Sequence, residues 1–224
     1  MATAKTATAP AAFRRYTNLA AAIHLLQTRE ITLLDPALWD DKNDAHFMQE
    51  YKAIRGFANV FAICFAETQE TYHHWRVFSA GVDGVCVEFD KDRILSAFDG
   101  DPAIRKGPVS YRLLDTLRKR DEIDVEELPF LKRKPYEPEC EYRVVYAEKD
   151  ADPKAAQSFP IELGWIRRIT LSPWMHESLR LSVATTLRSI PGCATLKVAR
   201  STLVGNREWQ ALTDKARVTP GPNS

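Results

Sequence analysis

KPYEPECEYRVVYA, Lys134 to Ala147, is the stretch that decides how this chain is read. Its second half, from Glu141, is an apolar alternation of strand length. Its first half leads into that strand with Glu137, Glu139 and Glu141 two residues apart. In a β-strand, residues two apart share a face. The segment therefore predicts three carboxylates on one face of one strand. Like charges so close repel, and a protein that keeps them usually aims them at a cation, a sugar hydroxyl or a reacting atom. The competing reading is a solvated edge strand whose acids face water beside Lys132, Arg133 and Lys134.

Working outward, strands are expected at Phe13–Tyr16, Ile31–Leu34, Val85–Phe89, Val109–Tyr111, within Ile161–Leu171 and at Ala194–Ala199. Val60 to Phe65, reading VFAICF, is a continuous apolar run of strand length, which suits a sheet covered on both faces. Helices are expected after a Thr17 cap to about Gln27, over Asn43–Arg55 with Phe47, Tyr51 and Ile54 on one face, over Thr71–Ala80, and from Asp90 to about Phe98. A charged helix or helix pair is expected over Leu113–Glu127, and a last helix from Ser172-Pro173 to about Ser189. Strands and helices mix without the regular alternation of a doubly wound fold, and neither G-x-G-x-x-G nor a P-loop occurs. The expected fold class is α+β: a single domain, 13–212, with a curved mixed or mostly antiparallel sheet flanked by helices. Residues 1–12 read as a disordered lead-in and 213–224 as a disordered tail.

Composition bounds the function. Length 224 is enough to bury a sizeable core, and 45% hydrophobic with 27% charged residues is the mix of a soluble globular protein. A net charge of +1 lacks the basic excess of a dedicated nucleic-acid binder, so there is no strong nucleic-acid signature. The four cysteines form no C-x-x-C pair, no apolar run is long enough to span a bilayer, and the N-terminus is not a secretory signal. Together these predict a cytoplasmic location, no membrane and no metal cofactor.

Ordered landmarks carry a resemblance. Phe13-Arg14-Arg15-Tyr16-Thr17 precedes a helix, Asp40-Asp41-Lys42-Asn43-Asp44 follows the second strand, and Cys64-Phe65-Ala66 ends the buried one. Trp75-x-x-Phe78-Ser79, then Gly84 to Phe89, and Tyr136-x-x-Glu139-x-Glu141-x-Arg143 complete the series. Between Phe13 and Val204 the chain resembles a large bacterial domain family of unknown function. That family carries Tyr-x-Tyr, Asn-Asp-Pro, Cys-Phe-Ser, Trp-x-x-Tyr-Ala and Trp-x-x-Glu-x-Glu-x-Arg. The chain departs from the pattern at Asp44-Ala45, Ala66, Phe78-Ser79 and Tyr136, and the family implies no activity.

The layout is also similar, more faintly, to the ADP-ribosyltransferase superfamily. That resemblance implies that Arg15 (or Arg14) holds NAD, that Ser79 orders the nicotinamide ribose and that Glu141 bonds a ribose hydroxyl. Cleaving the nicotinamide–ribose bond develops positive charge, which a carboxylate stabilises. Tyr16, Trp75 and Phe78 would stack on nicotinamide or adenine, and Glu139 would act as general base toward an acceptor. NAD is then the expected substrate, with a macromolecular acceptor as the further partner. Two other classes remain open. One is a non-enzymatic interaction module of a stress or phage-defence response, which predicts an exposed apolar patch and no pocket beside Glu141. The other is a metal-dependent phosphodiesterase or nuclease using Asp40, Asp41, Asp44 and Glu139. Structural readings compete at single residues: Arg15 pairing with a late glutamate, Trp75 and Phe78 in the core, and the Asp-rich stretch as a turn.

Overall fold

Local chemistry sets the order of elements in the computed structural model, which describes residues 12–79 and 81–216. The disorder expected at the two ends lies mostly outside these residues. Ala12 already belongs to the first strand, and a 3-10 turn continues to Lys215. The chain opens with β1 (Ala12–Asn18), α1 (Leu19–Thr28), β2 (Glu30–Leu34), α2 (Lys42–Arg55) and β3 (Asn59–Ala66). It continues through α3 (Tyr72–Phe78), β4 (Gly84–Asp90), α4 (Lys91–Ser96), β5 (Ile104–Pro108), β6 (Ser110–Arg112) and α5 (Leu114–Leu117). It closes with β7 (Leu131–Arg133), β8 (Glu141–Glu148), β9 (Ala156–Pro160), β10 (Ile166–Leu171), α6 (Glu177–Ser189), β11 (Val198–Arg200) and α7 (Arg207–Gln210).

The fold is α+β. Nine strands form one mixed sheet, and β6 pairs with β7 in a separate parallel ribbon. Most pairings are antiparallel; β10–β11 is the parallel one within the large sheet. β3 is the junction. One edge pairs with β8 along its whole length, from Asn59↔Glu148 to Ala66↔Glu141. The other edge is shared: β2 meets it at Leu34↔Ala62 and β1 at Arg14↔Ala66. β1 itself runs along β4 for seven residue pairs. With a single residue pair joining them, β1 and β3 part, and that parting makes the site.

The apolar run of β3 is buried on both faces, as its composition predicts. Phe61, Ile63 and Phe65 enter the main core with Phe13, Val87, Phe89, Val144 and Ile169. Val60 and Ala62 join Met48 and Val145 in a second core beneath α2. Fully burying one such side chain contributes about 1.5–3 kcal/mol. Alternation in β8 follows the same division. Val144 and Tyr146 face the main core, while Glu141, Arg143 and Val145 face the α2 side.

Several elements differ from expectation for physical reasons. Thr17 still pairs with Val85 in the ladder, so the α1 cap falls one residue later, on Asn18, which accepts from the Ala21 amide. α2 buries Asp44, Ala45, Met48 and Tyr51, leaving Ile54 62% exposed. The buried face is rotated because Asp44 is drawn inward by an arginine. In place of the charged helix or helix pair expected over Leu113–Glu127 there is one α-turn, Leu114–Leu117, and the start of a 3-10 helix at Val125, with Leu113 and Leu114 exposed. Without an apolar face to bury, a short charged helix is marginal. α6 begins at Glu177, capped by His176, because Ser172 holds a turn by donating to the Gly81 carbonyl and accepting from the Trp174 amide.

Candidate active site

The segment before β8 is not strand. Lys134–Glu139 is a 3-10 helix opened by Pro135, and Cys140 ends it in the left-handed region at φ 45°. The three glutamates therefore do not share a strand face. Glu137 points out and accepts from Lys134 at 2.6 Å, while Glu139 and Glu141 are both buried. β8 is an inner strand between β3 and β5, not a solvated edge.

The buried carboxylates meet buried cations. Arg143 is 0% exposed; its Nε donates to Glu141 Oε1 at 2.8 Å and its NH2 to Glu141 Oε2 at 3.0 Å. Its two terminal nitrogens also grip Asp44, and NH1 donates to the Pro129 carbonyl at 2.9 Å. Lys132 Nζ donates to Glu139 Oε2 at 2.6 Å and to Glu141 Oε2 at 3.2 Å, and lies 3.6 Å from Asp44. The Trp39 and Tyr136 rings flank Arg143 and Lys132 at 4.8 and 5.0 Å. The Tyr111 hydroxyl accepts from the Glu141 amide at 2.8 Å. Burial alone would raise the Glu141 pKa; Arg143 and Lys132 outweigh it and hold the carboxyl at about 2. For Glu139 and Asp44 burial dominates, and both are pushed above the usual carboxylate range. The three acids and two cations leave one net negative charge when all are ionised.

Beside this network the parted strands leave a narrow cleft of about 30 Å³ that opens to solvent. Arg14, Arg15 and Tyr16 of β1 form one wall, and Glu139 with Glu141 forms the other. Cys64, Phe65 and Ala66 make the floor, and Phe78 stands at the mouth. Arg14 is committed to structure: it donates to the Thr68 carbonyl and Gln69 and pairs with Glu88 at 2.9 Å. Arg15 is less bound. It donates to the Cys64 carbonyl at 3.4 Å, feels Glu141, and has no carboxylate within ion-pair distance among the described residues. The Cys64 thiol lies against Glu141; burial pushes it well above its ordinary pKa, so it stays protonated.

Of the expected site residues, Glu139, Glu141, Arg15 and Tyr16 therefore come together. Trp75 and Ser79 do not line the cleft. Trp75 is wholly buried, donates to Glu70 at 2.9 Å and packs edge-on against Tyr16. Ser79 donates to the Trp75 carbonyl and fits against Gly84, where a Cβ would meet its side chain at 2.6 Å. Tyr16 packs against His74 and Trp75, and its buried hydroxyl lies against the weakly hydrogen-bonding Cys86 thiol, with no other polar partner among the described residues. Asp41 caps α2 and Asp44 is held by Arg143, so both have structural tasks, while Asp40 is exposed. Among the described residues no group of three metal-ligating side chains forms, and no helix is long and apolar enough to cross a membrane.

Residue-by-residue reading gave no role to His73, His74, Lys132 or Arg143. His73 Nε2 stands 3.3 Å from Glu139 Oε1, and His74 Nε2 donates to the Glu139 carbonyl at 3.1 Å while Thr71 satisfies its Nδ1. The signal for Arg143 was present in its two-residue spacing from Glu141; its other carboxylate partner, Asp44, lies 99 residues away.

No family model matches the chain, and no curated protein does. The resemblance to the bacterial landmark family thus rests on sequence pattern alone. Among solved structures, DarT of Thermus sp. 2.9 matches in complexes with carba-NAD+, with NAD+ and with ADP-ribosylated ssDNA. The TM-scores are 0.42, 0.43 and 0.43 at 12% identity, over 86% of this chain and 96%, 96% and 94% of those chains. A likeness that loose assigns no residue a role.

Proposed function

We propose that this protein cleaves the nicotinamide–ribose bond of NAD, transferring ADP-ribose to a macromolecular acceptor or to water. The observation that carries the reading is the meeting of Arg15 and Tyr16 with Glu139 and Glu141 across one solvent-open cleft. At about 30 Å³ the cleft admits only a small polar group such as a ribose hydroxyl, and the rest of NAD would lie outside it. Glu141 is the carboxylate for the ribose hydroxyls. Arg143 and Lys132 keep it ionised and fixed, so it stabilises the cationic ribose without reorganising. A carboxylate has about four acceptor positions. Three are taken by N–H donors and the fourth side meets only a thiol, a weak donor that a ribose hydroxyl displaces.

Arg15 supplies the anion-gripping guanidinium, with its donors largely free. Glu139, with its raised pKa, is suited to take a proton from the incoming nucleophile. Trp75 and Ser79 support Tyr16 and α3 instead of touching substrate. The test is nicotinamide release from NAD, with and without cell extract as acceptor. The reading expects release by the native protein and a loss of about 100-fold or more in Arg15→Ala and Glu141→Gln. Arg15 is outside the buried ion network, so its variant keeps the fold if Glu141→Gln does not. Absence of release in both settings, or full activity in a folded Arg15→Ala, refutes it.

A further inference from the structure

A second cavity lies on the far side of the ion network, walled by α2, α5 and the β6–β7 ribbon. It measures about 230 Å³, several times the cleft beside Glu141 at about 30 Å³. Phe47, Leu114, Leu117 and Leu131 give it an apolar wall. At its edge stand Arg112 and Arg133, which are register partners on the parallel β6–β7 pair. Paired strands lie about 4.8 Å apart, so the two exposed guanidiniums leave the ribbon side by side.

Two cations of this cavity lack an ion-pair partner among the described residues. Asp41 keeps its charge while its Oδ1 accepts from the Asn43 and Asp44 amides and the Asn43 side chain, and it makes no ion pair with either arginine. Asp44 is gripped by Arg143, and Lys132 is held by Glu139 and Glu141. Arg112 contributes to the field on Glu127, yet neither Arg112 nor Arg133 makes an ion pair among the described residues. Two adjacent like charges stand beside an apolar wall. An anionic group between them relieves their repulsion, and a guanidinium pair suits a planar or tetrahedral oxyanion. A long polyanion would need a basic stripe, which this surface does not offer beside Asp41 and Asp44.

We propose that this cavity binds a small amphipathic anion: an aromatic or aliphatic body on the leucine wall, with one carboxylate, sulfonate or phosphate head between Arg112 and Arg133. The site stands on its own lining and does not depend on NAD cleavage. It does share Asp44 and Lys132 with the network behind Glu141, so occupancy bears on the same carboxylates.

The full chain is titrated with 8-anilinonaphthalene-1-sulfonate, read by fluorescence. The native protein binds it saturably at one site. R112E/R133E weakens binding about tenfold or more, whereas R118E/K119E, an equal charge change on exposed residues outside the cavity, leaves it within about twofold. N-phenyl-1-naphthylamine, with the same rings but no sulfonate, binds about tenfold more weakly or not at all. Near-UV circular dichroism matching the native chain assigns any loss to the site rather than to unfolding. Absence of saturable binding, equal binding by a folded R112E/R133E, or equal binding of the neutral probe overturns the proposal.

Discussion

Arg143→Met is the substitution whose cost the structure sets most sharply. The side chain is fully buried, so no water screens what is left behind. In the native protein Asp44, Glu139 and Glu141 face Lys132 and Arg143, a balance of minus one. Methionine fills similar volume but removes five donors and one charge, leaving Lys132 alone against three buried carboxylates. Breaking a buried pair by removing one partner costs about 3–5 kcal/mol. For a chain of this size that is a fall in Tm of about 6–20 °C, at about 2–4 °C per kcal/mol. Asp44→Leu combined with Arg143→Met restores the balance to minus one and replaces the bidentate pair by apolar contact, so the double variant is more stable than Arg143→Met alone. Urea unfolding followed by tryptophan fluorescence measures both. A loss below about 1 kcal/mol for the single variant, or no recovery in the double, refutes the claim that charge balance holds this network.

Other consequences are as direct. Glu141 has a folded pKa of about 2 against an ordinary 4.5, so its contribution is present above pH 4.5 and lost as pH falls toward 2. That contribution is on the order of 3 kcal/mol, and stability–pH curves of the native protein and Glu141→Gln converge across the window. Asp44 and Glu139 act in the opposite sense, since their raised values mean the folded state gains stability as pH falls through them. Cys140→Gly raises stability by about 0.5–1 kcal/mol in urea unfolding, because Cys140 sits at φ 45° where glycine has no Cβ penalty. Gly84→Ala lowers it by about 1–3 kcal/mol, since the new Cβ would stand 2.6–2.7 Å from Ser79 Oγ and Cβ, and Ser79→Gly in the same chain relieves the loss.

Much of the fold was legible because its signals were local. VFAICF announced a strand covered on both faces, and β3 is that strand, with one core on each side. Asp90 announced the cap of α4. β9, reading Ala156-Gln157-Ser158-Phe159-Pro160, was illegible because an edge strand on β2 needs little apolar alternation and tolerates proline. β5 is similar: its Arg-Lys-Gly-Pro run carries no strand signal, and pairing with β8 imposes the conformation.

The site divided in the same way. Arg15, Tyr16, Glu139 and Glu141 stood out through chain landmarks, and all four line one cleft. Trp75 and Ser79 belong to the same landmarks but pack behind it, a distinction of side-chain direction that sequence order does not encode. Asp44, Lys132 and Arg143 looked like a turn acid, a solvated lysine and a strand arginine. Only the convergence of α2, β7 and β8 turns them into one buried network.

The most direct test of the central claim is a crystal structure of the protein with a non-cleavable NAD analogue. The account predicts the nicotinamide ribose between β1 and β8, with a hydroxyl within about 3 Å of the Glu141 carboxylate and the Arg15 guanidinium against the adjoining phosphate or amide. An analogue bound elsewhere, or a cleft left unoccupied at saturating analogue, contradicts it.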